Sequence, residues 1–240
     1  MTAIIDGDSL IYICSWNKIA KCWSSNNQFI NDNIDKLLSK VFLKVKATDY
    51  IGFIGGKKSF RNEIDTNYKI NRKDLVKPTM IEFTKQYLID KWGFIKLDFL
   101  ESDDAVRICK VNIEDSIICS NDKDIFSLEG THYNYKKDEF ITTSKFESRY
   151  KFCCSLIVGD SADGVKALRG KGIVFANNLL KDKLEDEWLY VILKEYINHY
   201  GEAEGINQFN KNYQLLYIKE YYEDFILPSP IKIESNMLTI

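Results

Sequence analysis

The sequence has few of the features that mark secreted or membrane-spanning proteins. None of its six cysteines forms a Cys-x-x-Cys pair, and no secretory signal is visible before the first apolar run. No apolar run approaches the ~20 residues of a membrane-spanning helix. Only three prolines interrupt the 240 residues. We therefore expect a globular protein of the reducing cytoplasm, with most of its thiols reduced and in the core.

Net charge is also low. The formal charge of −2 at pH 7 does not by itself indicate a nucleic-acid-binding protein. The charges are unevenly distributed, however. Residues 55–77, here called the basic segment, carry seven basic and three acidic side chains, whereas residues 182–240 carry five basic and eleven acidic ones. The basic segment is therefore the candidate for holding a polyanion.

Four apolar runs in different parts of the chain are each followed within three residues by an acidic residue. Sites in open α/β sheets lie beyond the carboxyl ends of the strands, so we expect these acids to form one cluster. Carboxylates that lie this close together repel one another unless a positive charge lies among them. A set of ligands made only of oxygen atoms favours a hard cation such as Mg²⁺ or Mn²⁺. The runs and their acids are Ala3–Ile5 with Asp6 and Asp8, Leu97–Leu100 with Glu101, Asp103 and Asp104, Ile117–Cys119 with Asp122 and Asp124, and Leu156–Val158 with Asp160 and Asp163.

Each charged group also has a simpler interpretation. Asp103 and Asp104 would stabilise a helix N-terminus through its dipole, and acids after a strand are common turn residues. Lys69 and Arg72 are three residues apart and would share one face of a helix over 68–77, which alone could be a solvated charged helix. The repetition of the acidic pattern at four places favours the cluster.

Apolar runs alternate with helical patterns, which predicts an α/β fold with a mainly parallel central sheet flanked by helices. Glycines in the C-terminal third predict breaks between helices near residues 201 and 205. The predicted strands are residues 2–5, 50–54, 95–100, 116–119 and, near an edge, 131–135. The predicted helices are residues 10–20, 34–45, 81–88, 103–111, capped by Ser102, and 173–180, followed by further helices.

The order and spacing of these motifs resemble the flap endonuclease / 5′-3′ exonuclease family, which comprises the nuclease domain of bacterial DNA polymerase I and its stand-alone phage relatives. The resemblance covers residues 3–180. It implies a PIN-like fold with a helical arch, a helix-hairpin-helix element and metal-dependent hydrolysis of phosphodiesters at 5′ ends or flaps during replication. The motifs are Ile5-Asp6-Gly7, Phe60-Arg61 with Tyr68-Lys69-Ile70-Asn71-Arg72, Glu101-Ser102-Asp103-Asp104, Ser120-Asn121-Asp122-Lys123-Asp124 and Gly159-Asp160-Ser161-Ala162-Asp163.

The resemblance also implies two Mg²⁺ ions, for which Mn²⁺ would substitute. Relatives usually carry an Asp at the end of the second strand, where this chain reads Phe53-Ile54-Gly55-Gly56. Asp8 is a further candidate ligand that would compensate for the missing acid. By resemblance the first ion takes Asp6, Glu101 and Asp103, the second takes Asp103, Asp122, Asp124 and Asp163, and Asp104 and Asp160 lie at the periphery.

The nucleic-acid contacts follow from the same resemblance. Lys69 would contact the scissile phosphate, Arg72 would assist, Tyr68 would stack on a base, and Arg61 lies in the same motif. The turn Gly170-Lys171-Gly172, with Lys166 and Arg169 nearby, would grip duplex backbone and would hold K⁺ through backbone carbonyls. The implied partners are DNA with 5′ ends, flaps or RNA–DNA junctions, bound by a monomer in the cytoplasm, or in the host cytoplasm if a phage encodes the chain.

The expected organisation is a nuclease core over residues 1–155, with the arch region at 57–92, and a helix-hairpin-helix and C-terminal helical region over 156–240, packed with the core as one domain. Two alternatives remain. A haloacid-dehalogenase-type phosphatase would use Asp6 as its nucleophile, but its usual acid spacing differs from that of Asp160 and Asp163. A catalytically weakened branched-DNA-binding protein of the same fold would explain the missing strand acid.

Overall fold

The structure is a computed structural model that describes residues 1–238, and the chain divides into two compact units. The sheet unit contains Met1–Ser59, Val76–Thr143 and the C-terminal stretch from Ile218. The helical unit contains Phe60–Leu75 and Ser144–Tyr217. No helix within residues 1–238 is both long and apolar enough to cross a membrane.

The strands and helices alternate along most of the chain. The strands are β1 Thr2–Asp6, β2 Trp16–Asn17, β3 Cys22–Trp23, β4 Asp49–Ile54, β5 Ile95–Lys96, β6 Ser116–Ser120, β7 Gly130–Asn134, β8 Glu139–Thr143 and β9 Ile231–Lys232. The helices are α1 Gly7–Ser15, α2 Asn27–Val45, α3 Arg61–Ile64, α4 Ile81–Trp92, α5 Ser102–Asn112, α6 Lys145–Val158, α7 Ile173–Leu180, α8 Trp188–Tyr200 and α9 Glu202–Leu216.

The sheet unit is built on a seven-stranded sheet with β1 at its centre. The strand order is β5-β4-β1-β6-β7-β8, and β9 pairs with β4. The pairs from β5 to β7 are parallel, whereas β8 and β9 pair in the antiparallel sense. Strands β2 and β3 form a separate small hairpin. The predicted fold class, a mainly parallel sheet flanked by helices, is confirmed.

The core of the sheet unit explains why β1 is central. All five residues of β1 are buried, because β4 and β6 pair with it on both sides and helices pack over the sheet. A parallel strand buried in this way reads as a continuous apolar run. Helices α2 and α4 are joined at Asp35, whose carboxylate accepts from Tyr87 (2.9 Å), Lys91 (2.7 Å) and the Trp92 indole (3.0 Å).

The helical unit has its own apolar core. Helices α6, α7, α8 and α9 enclose a cluster that includes the fully buried Ile192, Tyr196 and Trp188. The Tyr196 hydroxyl donates to the carbonyl of Leu156 (2.6 Å) and accepts from the Asn212 amide (2.9 Å). Each buried polar group in this pair therefore has a partner, as a packed interior requires.

Two of the apolar runs differ from their predicted structure. The strand predicted over residues 95–100 ends at Lys96, and Phe99 beyond it has a positive φ of 68°. The run Leu156–Val158 is the last turn of α6 and not a strand. A short apolar run fits either a strand or a buried helix segment, and only the length of the surrounding pattern separates them. The acidic residues that follow these two runs therefore do not follow strands.

Several helix boundaries also differ. The first helix spans Gly7–Ser15 instead of residues 10–20, and Ser102 begins α5 while Glu101 is its N-cap. The α-helix expected over residues 68–77 is wrong, because Lys69 has a left-handed φ of 58° and only Ile70–Arg72 form a 3-10 helix. The helical break near residue 201 is confirmed.

The predicted boundary between residues 155 and 156 falls inside α6, and the two compact units divide the chain at other points. Strand β8 and most of α6 were not predicted. Helix α7 spans Ile173–Leu180, which confirms the predicted helix over residues 173–180.

Gly205 lies inside α9 and not at a break, because the backbones of α8 and α9 approach closely there. A Cβ atom at this position would lie 2.7 Å from the backbone of Ile197 and 2.7 Å from the carbonyl oxygen of Tyr196. The glycine is thus required by helix packing.

Replacement of Gly205 by alanine should therefore separate α8 from α9 and lower the free energy of unfolding by about 1–3 kcal/mol, despite alanine's higher helix propensity. Urea unfolding of the two proteins measures the difference. Asn207→Ala, at an exposed position of the same helix, is the control and should remain within ~0.5 kcal/mol of wild type. Equal stabilities of the two variants would contradict the close-packing explanation.

Candidate active site

Asp6 lies at the carboxyl end of the central strand and is only 2% exposed. It is the N-cap of α1, and its Oδ1 accepts from the backbone N–H of Asp8 (3.2 Å). The same oxygen accepts from the Ser102 hydroxyl (2.8 Å), and Oδ2 accepts from the Ser120 hydroxyl (2.7 Å). The start of α5 and the end of β6 are therefore both held against this carboxylate.

The N-cap and the first turn of α5 carry three acids with different environments. Glu101 and Asp104 form a capping box, in which each side chain accepts from the other residue's backbone N–H. Asp104 is fully buried and also accepts from the backbone N–H of Lys219 (2.8 Å), so its role is to cap the helix and to anchor the C-terminal stretch. Asp103, on the same turn, is half-buried. The peripheral role expected for Asp104 at a metal site stays a prediction.

The turn after β6 holds Asp122 and Asp124. The backbone N–H of Asp122 donates to the Ser120 hydroxyl (2.9 Å), and Asp122 Oδ1 accepts from the backbone N–H of Asp124 (2.8 Å). This pattern is that of an Asx turn, which orients the Asp122 side chain relative to the end of β6. The Asp124 side chain is 45% exposed, and one of its oxygens lies 3.9 Å from the Lys123 ammonium.

Asp8 lies at the end of β4, where that strand supplies no acid of its own. Both of its carboxylate oxygens accept from the backbone N–H of Gly55, at 3.1 and 3.2 Å. A Cβ atom at position 55 would lie 2.5 Å from Asp8 Oδ2, so the absence of a side chain there makes room for this carboxylate. Asp8 thus brings a carboxylate from α1 to the end of the strand next to β1.

A buried tyrosine completes the surroundings of Asp6. The Tyr135 hydroxyl donates to the backbone carbonyl of Asp6 (3.3 Å) and is hydrogen-bonded to the Ser9 hydroxyl. Burial raises the pKa of Tyr135 well above its ordinary value, and the nearby Asp6 charge raises it further. Tyr135 therefore stays protonated and acts as a hydrogen-bond donor.

One edge of the sheet therefore collects carboxylates from α1, α5 and the turn after β6. Four serine and tyrosine hydroxyls, from residues 9, 102, 120 and 135, hold this edge together and were not predicted from the sequence. Among residues 1–238, no group of three or more His, Cys, Asp or Glu side chains is arranged to hold a metal ion. The donor type at the edge, carboxylate oxygen, is nevertheless the one that hard cations prefer.

In the helical unit, Asp163 is held by three of the residues predicted to contact nucleic acid. The Tyr68 hydroxyl donates to Asp163 Oδ2 (2.8 Å), Arg72 donates to Oδ1, and the Lys69 ammonium lies 3.7 Å from Oδ2. The backbone N–H of Lys69 also donates to the carbonyl of Asp163 (2.8 Å). Asp160 closes the same loop by accepting from the backbone N–H of Ala162 (2.7 Å).

Two of the predicted DNA contacts are buried in the helical unit. Tyr68 is 6% exposed and packs with Val165 and Leu215, so its ring does not offer a stacking face. Arg61 is 2% exposed, and its guanidinium donates to the carbonyls of Leu215 (2.9 Å) and Tyr217 (2.8 Å). Arg61 therefore ties α3 to the end of α9, because a buried guanidinium must have its donors satisfied.

The predicted backbone-gripping turn lies on the surface of the helical unit. Gly170 has a positive φ of 76°, Gly172 is the N-cap of α7, and a Cβ atom at either position would meet nothing within 4 Å. Lys166 and Arg169 are exposed, and the Lys171 ammonium lies 4.0 Å from the centre of the Phe175 ring. The helix N-terminus at this turn is therefore open to an anion.

The chain matches no protein-family model. It is 26% identical over 232 aligned residues to a curated protein of Buchnera aphidicola named 5′-3′ exonuclease. The alignment covers 86% of this chain and 78% of that relative. The name of this relative agrees with the resemblance of the sequence motifs to the flap endonuclease / 5′-3′ exonuclease family. The name of this relative gives no support to the haloacid-dehalogenase-type alternative.

Several solved structures share the fold of this chain. The bacteriophage T5 D15 protein co-crystallised with metal ions is 18% identical, with a TM-score of 0.66 over 90% of this chain and 88% of that one. A T5 D15 flap endonuclease complex with DNA and metal ions is 15% identical, with a TM-score of 0.57 over 90% and 94%. The catalytic core of Rad2 with a DNA substrate is 16% identical, with a TM-score of 0.51 over 99% and 76%.

The buried position of Arg61 predicts a structural role that does not depend on nucleic acid. Arg61→Met should lower the free energy of unfolding by about 2–4 kcal/mol, because it leaves two carbonyls without their charged donor. Denaturant unfolding measures the change, with the exposed Lys57→Met as the charge-matched control. A change within ~0.5 kcal/mol of that control would mean that the guanidinium does not hold α9.

Proposed function

We propose that this protein is a metal-dependent 5′-3′ exonuclease and flap endonuclease that hydrolyses phosphodiesters at 5′ ends or flaps of DNA, RNA primers included, during replication. The observation that carries the proposal is the buried Asp6 at the end of the central strand, with acids from α5 and from the turn after β6 held beside it through Ser102 and Ser120. The name of the curated relative and the metal and DNA complexes of the T5 neighbours support it.

The proposed cofactor is a pair of Mg²⁺ ions, for which Mn²⁺ substitutes. The sheet unit would hold them through carboxylates that come from different elements of the chain but lie at the same edge of the sheet. A bound pair would supply an activated water and stabilise the leaving oxygen of the phosphodiester. The proposed ligands in this unit are Asp6, Asp8, Glu101, Asp103, Asp122 and Asp124, while a ligand role for Asp163 and a neighbouring role for Asp160 remain proposals for the helical unit.

The helical unit would supply the phosphate contacts. Lys69 and Arg72 are held against Asp163 in this structure, so a phosphate bound by them would replace a carboxylate as their anionic partner. The exposed Lys166 and Arg169, with Lys171 and the open turn at Gly170 and Gly172, would contact duplex backbone, and K⁺ bound at that turn is part of the proposal. We propose that the chain acts as a monomer on DNA with 5′ ends, flaps or RNA–DNA junctions.

A second candidate function has a specific observation in its favour. Strand β4 ends without an acid, and among the described residues 1–238 no three potential ligands are arranged around a common point. A protein of this kind would bind branched DNA but cut it slowly. It differs from the main proposal in catalysis and not in DNA binding.

Cleavage of a 5′-end-labelled flap duplex, with Mg²⁺, with Mn²⁺ and with EDTA, tests the main proposal. We expect cutting near the junction in either metal and none in EDTA. Asp122→Ala should lower the rate by more than about 100-fold, since removal of a ligand costs at least as much as removal of a group that supports one. Asp115→Ala, at the exposed residue that precedes β6, is the matched control and should cut like wild type. Tight flap binding without cutting in both metals would favour the second candidate.

The proposed contact between Arg72 and a phosphate leads to a separate prediction. Arg72→Ala should weaken duplex binding and reduce the slope of log affinity against log salt by about 0.9, the value for one phosphate contact. Lys36→Ala, at an exposed position of α2, removes one positive charge elsewhere and should leave the slope unchanged. Fluorescence anisotropy at several salt concentrations measures both. Identical slopes for the two variants would remove Arg72 from the binding surface.

A further inference from the structure

The two serines beside Asp6 have a geometry that goes beyond simple packing. Ser102 is 2% exposed and Ser120 is fully buried, and each donates to a different oxygen of the Asp6 carboxylate. We propose that Ser102 and Ser120 are positioning residues that orient Asp6 and couple it to the other acidic segments, so that cation affinity depends on two neutral hydroxyls. This inference rests on the proposed function and deepens it.

Ser120 connects two acidic segments through one hydroxyl. Its oxygen accepts from the backbone N–H of Asp122 (2.9 Å), and its proton is donated to Asp6 Oδ2 (2.7 Å). A hydroxyl can donate one proton and can accept on its lone pairs. Because the Ser120 hydroxyl accepts from the Asp122 N–H on a lone pair, its proton remains available for Asp6. The turn that carries Asp122 is thereby fixed relative to the end of β1.

Ser102 makes the corresponding connection to α5. It lies between Glu101 and Asp103 in the chain, and its hydroxyl donates to Asp6 Oδ1 at 2.8 Å, with the carbonyl of Phe53 as a longer contact at 3.4 Å. The first turn of α5 is therefore placed by the same carboxylate that Ser120 holds. One buried acid thus links three acidic segments that are far apart in the sequence.

The consequence concerns the protein before any cation binds. Carboxylates collected at one edge repel each other, and a buried carboxylate is costly unless it is hydrogen-bonded. Hydroxyl donors on both oxygens offset that cost and keep Asp6 in one orientation. Loss of either hydroxyl should leave the fold in place, since serine and alanine are nearly equal in size, but should leave the acids less well oriented.

A double-mutant cycle in EDTA tests the coupling without any metal. The free energies of unfolding of Ser120→Ala, Asp6→Ala and the double variant are compared with that of the wild type. We expect non-additivity, because the Ser120 hydroxyl loses its acceptor when Asp6 is absent. Additive effects, like those of a parallel cycle with Ser116→Ala on the same strand, would overturn the positioning role.

Binding of Mn²⁺ alone, followed by electron paramagnetic resonance, tests the functional consequence. Ser102→Ala and Ser120→Ala should each weaken Mn²⁺ binding by about 10–100-fold, as the loss of groups that support ligands usually does. Ser116→Ala should bind as wild type does, because its hydroxyl is hydrogen-bonded to Ile113 at the other end of β6. Ser102→Thr and Ser120→Thr keep the hydroxyl and should restore binding.

The outcomes separate this inference from the proposed function. If the wild-type chain binds no Mn²⁺ and cuts no flap substrate, the proposed function fails and the cation role of the serines fails with it. If the wild type binds and cuts while both alanine variants bind Mn²⁺ equally well, the proposed function stands and the positioning role is overturned. Loss of binding in both threonine variants would also overturn the role of the hydroxyls.

Discussion

The burial of one carboxylate at the end of the central strand determines most of the site. Strand β1 is paired in parallel on both sides, so its last residue, Asp6, is removed from water. A buried carboxylate needs hydrogen-bond donors, and Ser102 and Ser120 supply them from α5 and β6. The acids that adjoin these serines are thereby brought to one edge of the sheet. The acidic edge is thus a consequence of how the central strand is paired.

The helical unit is organised around a second carboxylate. Asp163 accepts from Tyr68 and pairs with Lys69 and Arg72, and the backbone of Lys69 is bonded to the same loop. These partners hold residues 68–72 in turns, although the charge pattern of this segment alone would also allow a helix. The left-handed φ of Lys69 is compatible with the turn and incompatible with a continuous α-helix.

The sequence predicted the sheet because its strands follow from short-range patterns, whereas the carboxylate cluster expected at its edge stays a prediction. Apolar runs such as Ala3–Ile5 and Ile117–Cys119 lie in buried strands, and acids within a few residues of their carboxyl ends lie near that edge of the sheet. The run Leu156–Val158 has the same local pattern but ends a helix, since only its wider context separates the two structures. Local pattern therefore identified the residues of this region but not the element that carries them.

Tertiary partners decided the features that the sequence could not predict. Arg61 lies in the basic segment, yet its side chain is buried and its guanidinium donates to two carbonyls at the end of α9. Ser102 and Ser120 have no periodic or charge signal, and their importance depends on where Asp6 is placed by strand pairing. Asp8 is a candidate from the sequence only because it lies two residues after Asp6. Its contact with Gly55 follows from the pairing of β4 with β1.

The most direct test of the central claim is the anomalous scattering of Mn²⁺ in crystals of the full chain. We expect a peak within coordination distance of Asp6 and of at least one acid from α5 or from the turn after β6. The same peak should be lost in crystals of Asp6→Ala grown under identical conditions. A peak elsewhere on the protein, or one at this edge that is unchanged in Asp6→Ala, would contradict the account.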